Sequence, residues 1–145
     1  MEKKRFNVYH AGKLMPWATG AAVWNPKGFV FISGSEGIDP DTDQVVEGAY
    51  AQTKLALSKI KQRLEEFGAS LENICHIWTY IAGPDFPVGV QMDQKAQDRM
   101  KALQEFWKEN CPQFITNPPA TTLLGVAGLA RKEMVVEIMV IAALE

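Results

Sequence analysis

A chain of 145 residues, 47% hydrophobic and 22% charged, can bury a full core as one domain over residues 1–145. Its net charge of −2, with no Lys/Arg cluster beside spaced aromatics, argues against nucleic acid as a partner. Two separated cysteines, two histidines and no apolar stretch near ~20 residues exclude a disulfide framework, a CxxC zinc site and a membrane-spanning helix.

Neither metal nor cofactor is therefore expected. The basic start, "MEKKRFNVYH", has no apolar region behind it, so no secretory signal is read. Cys75 and Cys111 are expected as reduced, packed thiols in a cytoplasmic protein.

"FNVYHAG" predicts a first edge strand. Two short apolar strands follow, about Ala21–Trp24 and Gly28–Ser33, and the Asn25-Pro26-Lys27-Gly28 turn predicts a hairpin between them. After the turn-rich "IDPDTDQ", from about Val45 to Phe67, the period changes. Leu57, Ile60, Leu64 and Phe67 make one helical stripe, and Gly68 stands where a helix C′ residue belongs.

"NICHIWTYIAG" reads as a strand ending at Gly83-Pro84. A second stripe, Ala96, Met100, Leu103 and Trp107, predicts a helix capped by Asp93 and ended by Cys111-Pro112. "ATTLLGVAGL" and "EMVVEIMVIAAL" read as two strands joined by "ARK". The order is β-β-β-α-β-α-β-β, an α+β fold with two helices on one face of a mostly antiparallel sheet.

In the last strand Val136, Ile138 and Val140 form one face, and Val135, Glu137, Met139 and Ile141 the other. Both faces are apolar while the helices cover one, so an obligate oligomer is expected. Glu137 interrupts that apolar run. On the residues alone it is either an acid exposed or paired at a strand edge, or a carboxylate placed for chemistry.

"PPATTLLGVAGL" followed by "VVEIMVIAAL", with "MPWATG" and "FISGSEGIDPDT" upstream, resembles the Rid family, also called YjgF or L-PSP. The resemblance runs from about Met15 to Ala142. It implies a chorismate-mutase-like α+β fold, a homotrimer, and small-molecule clefts between subunits. Archetypal members hydrolyse reactive enamines and imines to a keto acid and ammonia.

By this resemblance Glu137 falls on the acid that positions the attacking water. Ser33 and Gly34 fall on the pocket-lining Ser-Gly, and Trp17 replaces a tyrosine. Pro119 and Ala120 precede the family's substrate-anchoring arginine, which is Thr121 here; Leu123 stands where many members carry cysteine. Thr121 and Thr122 are then substrate-binding candidates by position.

A neutral hydroxyl cannot replace an Arg–carboxylate fork. Arg131 and Lys132, in the turn between the last strands, lie too far along the chain to reach back. The segment before the second helix is longer than in archetypal members, and its Lys95 and Arg99 lie one helical turn apart. Each is either a solvated surface charge or the cation that replaces the lost arginine. The activity expected is imine or enamine hydrolysis, with a non-catalytic ligand binder as its rival.

Overall fold

The computed structural model describes residues 1–83 and 94–145. The expected Asp93 cap lies outside these residues. Six strands are formed: β1 (Glu2–His10), β2 (Lys13–Trp24), β3 (Gly28–Glu36), β4 (Ile74–Ala82), β5 (Ala120–Val126) and β6 (Val136–Leu144). The helices are α1 (Gly48–Glu66) and α2 (Gln94–Asn110).

Each helix is a crossover. The sheet order is β1-β2-β5-β4-β6-β3. α2 carries the chain from β4 to its parallel neighbour β5, and α1 carries it from β3 to β4, leaving a slot that β6 fills antiparallel to both. The sheet is thus mixed, with β2–β5 and β4–β5 parallel.

Two expected hairpins are corrected by this topology. β5 and β6 do not pair, because β4 lies between them; Gly83 N–H donates to Val126 O and Ala82 N–H to Val135 O, holding one strand on each side. β2 and β3 do not pair either, although Asn25 does turn with φ 53°. β2 touches β5 at a single position, Ala18 opposite Ala120, and its ribbon with β1 then crosses the ends of the inner strands. There Lys3 and Arg5 donate to the carbonyls of Glu72 and Ile74. That course lets a short turn reach the far edge strand. The hairpin that does form joins β1 to β2 through Ala11 and Gly12, both at positive φ, as a type I′ turn requires.

Val136, Ile138, Val140 and Ala142 of β6 are fully buried against Ala56, Leu57, Ile60 and Leu64 of α1. Leu103, Phe106 and Trp107 of α2 complete this core. α1 ends as expected: Gly68 N–H donates to Glu65 O and Ala69 N–H to Leu64 O, a Schellman pair with Gly68 at φ 71°. The predicted stripe ran one residue too far, since Phe67 caps the helix and is 62% exposed. Among the described residues no helix lies over the other sheet face. Phe29 and Phe31 stand exposed there, and Trp78, Tyr80, Met139 and Ile141 are half-buried.

Candidate functional site

The residues singled out in the sequence fall into two groups, one on each face of the sheet. On the open face, β3 and β6 pair from Gly28 to Ile32 and resume at Ser35 opposite Ile138. Ser33 and Gly34 therefore face Met139 alone, which makes a β-bulge. The bulge turns Ser35 inward, where Arg63 donates to its hydroxyl at 2.7 Å, and leaves Ser33 exposed.

Glu137, half-buried, lies against this bulge. A Cβ on Gly34 would stand 1.8 Å from Glu137 Oε1, so the carboxylate occupies the space that any larger residue would fill. No hydrogen bond or ion pair reaches Glu137 among the described residues. Tyr80 is its register partner on β4 and donates its hydroxyl to Met139 Sδ at 3.6 Å. Thr122 also lies on this face, its Oγ1 2.9 Å from His76 Nε2. The His76 ring stacks on Trp78, and burial lowers its pKa.

On the helix side is a cavity of about 220 Å³ lined by Pro16, Trp17, Arg99, Met100, Thr121 and Leu123. The lone β2–β5 bridge puts Trp17 and Thr121 on the same side of the sheet, and Ala18 N–H fixes it by donating to Pro119 O at 3.1 Å. The Thr121 hydroxyl donates to Pro119 O at 3.3 Å.

Arg99 enters this cavity from α2 and is 1% exposed. Its Nη2 donates to Thr79 Oγ1 at 2.6 Å, while Nε–H has no partner among the described residues. Burial pushes the guanidinium down to about 10, so it keeps its charge at neutral pH.

Lys95 goes elsewhere. Its Nζ donates to Ala82 O at 3.0 Å, and it lines a separate cavity with Gly83, Arg131 and Lys132. One helical turn of separation did not bring Lys95 and Arg99 to one site. Thr79, the partner of Arg99, was not singled out from sequence. The signal was a polar residue in the buried row Ile77, Thr79, Ile81 of β4.

Among the described residues no group of three or more His, Cys, Asp and Glu side chains is placed to hold a metal, and no helix is long and apolar enough to cross a membrane.

The profile of the family described as endoribonuclease L-PSP matches residues 14–144. A RutC family protein of Pyrococcus abyssi is 37% identical over 67 residues, 46% of this chain and 50% of that protein. One from Aquifex aeolicus is 43% identical over 54 residues, 37% of this chain and 43% of that protein. The chain thus spans about half the length of the curated relatives it matches.

The crystal structure of the Rid family protein YyfB from Yersinia pestis, described as of unknown function, superposes with a TM-score of 0.74. It is 20% identical over 99% of this chain and 100% of that one. E. coli TdcF with bound serine superposes at 0.67, with 20% identity over 98% and 100% of the two chains. These likenesses carry the α+β fold. With a profile that covers nearly the whole sequence, the chain belongs to the endoribonuclease L-PSP family, the Rid or YjgF family that its motifs resemble.

Proposed function

We propose that this protein is a cytoplasmic homotrimer that binds a small carbonyl- or imine-type metabolite in clefts between its copies and hydrolyses an imine or enamine there. The observation that carries the reading is the Glu137 carboxylate, held against Gly34 with no partner among the described residues. A half-buried carboxylate without a protein partner is placed to bind and orient a water in a cleft.

The chemistry is short. Glu137 accepts a proton from a water whose oxygen adds to the imine carbon. The carboxylate returns that proton to the nitrogen, giving a carbinolamine. The carbon–nitrogen bond then breaks as the new hydroxyl gives its proton to the leaving nitrogen, and ammonia and a carbonyl result. Water in and ammonia out balance the step without oxidation or reduction. An enamine enters the same route after protonation at carbon.

The two faces support the assembly. Ser33, Gly34 and Glu137 cannot meet Trp17, Thr121 and Arg99 through one sheet, so a neighbouring copy brings the second group to the first. The exposed Phe29 and Phe31 give the open face an apolar surface for that copy. The serine bound by TdcF is a ligand of the expected size class.

The second reading, a binder without turnover, is favoured by Thr121 in place of an arginine. Ammonia release from enamines and imines generated in situ decides between the two. The enzyme reading expects release by wild type and its loss in Glu137→Gln. Light scattering at micromolar concentration should give a trimer mass; a monomer or a dimer contradicts the interfacial cleft.

A further inference from the structure

A buried guanidinium with no counter-charge among the described residues is the least expected feature of the helix side. Arg99 is 1% exposed, its described partner is the neutral Thr79 hydroxyl, and its Nε–H has no acceptor among the described residues. No described carboxylate pairs with it. An isolated buried charge is among the most costly groups a fold can keep, and removing it often stabilises the protein. Thr79 nonetheless fixes the guanidinium at 2.6 Å, so its orientation is set before any ligand arrives.

The surroundings indicate what would complete it. The cavity that Arg99 lines is walled by Pro16, Trp17, Met100 and Leu123, with the Thr121 hydroxyl as a further polar group. Its volume of about 220 Å³ suits a small molecule with one anionic end and an apolar body. Thr121 holds the position where the family resemblance puts an arginine, and Arg99 reaches the same cavity from α2.

We infer that Arg99 is the anion anchor of this site and that the ligand is a small monocarboxylate whose apolar part lies along Trp17 and Leu123. The positive charge has moved from β5 to α2, and the ligand carboxylate supplies the acceptor that Nε–H lacks. The inference rests on the small-molecule reading above and adds the charge of the ligand to it.

The test is calorimetric titration with 2-oxobutyrate and with its uncharged amide, in wild type, Arg99→Met and Lys95→Met. Wild type should bind the acid at least tenfold more tightly than the amide, as expected for a charge-assisted fork in a dry site. Arg99→Met should bind the two alike, and Lys95→Met should keep the preference. Equal affinities in wild type, or a preference that survives in Arg99→Met, overturn the anchor and leave the small-molecule reading standing. Binding of neither compound at millimolar concentration overturns both. A second readout needs no variant that folds: the Arg99 Nε–H resonance of wild type should shift on adding the acid and stay still on adding the amide. A resonance indifferent to the acid overturns the proposal.

Discussion

Among the described residues neither Glu137 nor Arg99 has a counter-charge, but the sheet treats them differently. Glu137 is half-buried on the open face, and what makes room for it is the missing side chain of Gly34. Arg99 is sealed beneath a helix, and what holds it is one hydroxyl of β4. An open-face carboxylate is within reach of water and of a ligand. A buried guanidinium keeps its charge at neutral pH, so it is suited to holding an anion in place. The first arrangement fits chemistry and the second fits recognition.

The largest expected effect sits on the open face. Glu137→Gln keeps the shape and removes the proton acceptor, so turnover should fall roughly 10²–10⁴-fold while folding and trimer mass are unchanged. Unaltered turnover would return Glu137 to a structural role.

Gly34→Ala should come next. The atoms its methyl meets belong to the flexible end of Glu137, so the fold accommodates it while the carboxylate moves away. Turnover should drop at least tenfold with little change in melting temperature. Gly37→Ala, three residues on, should do the reverse. Its methyl would lie 2.5 Å from the Gln52 backbone in α1, which cannot swing aside. Gln52 also accepts from Val135 N–H and donates to the Val46 and Glu133 carbonyls, so it has no free alternative position. A loss of about 1–3 kcal/mol in denaturant unfolding is expected.

Arg99→Met should leave the ligand-free melting temperature unchanged or raise it by a few degrees, since a buried charge with no counter-charge among the described residues is replaced by an apolar side chain. A large fall would give Arg99 a structural purpose and weaken its assignment to recognition.

The smallest effect is expected at His76, whose pKa burial depresses below 6.5. Between that folded value and 6.5 the unfolded chain binds more protons, so stability is fully present above 6.5 and falls as pH drops through the window. His76→Gln should flatten this slope in melting curves taken from pH 7.5 to 5.

Much of the fold was legible because its signals are local. The β6 alternation, the α1 stripe and Gly68 at the helix end are readable one element at a time. The strand pairing was not, since a turn motif such as Asn25-Pro26-Lys27-Gly28 shows that the chain turns and not which strand it meets next. The crossovers place β4 between β5 and β6, and no residue in the "ARK" connection announces that.

Position in the motif marked Glu137, Gly34 and Thr121, but not the sheet face each would take. Arg99 had a sharper signal. Ala96, Arg99, Leu103 and Phe106 follow helical spacing, which puts Arg99 on the buried face, although its charge favours the solvated reading. The split between Arg99 and Lys95 depends on how α2 meets the end of β4, which spacing along one helix does not encode.

The central claim is that the two half-sites are joined between copies. The direct measurement is turnover of trimers co-expressed from Glu137→Gln and Arg99→Met chains, with ammonia release as the readout. If each cleft takes Glu137 from one copy and Arg99 from its neighbour, random mixing leaves about a quarter of the clefts with both native residues. Turnover should then return to about a quarter of wild type, well above either variant alone. Mixed trimers no more active than the two variants measured separately would contradict the account.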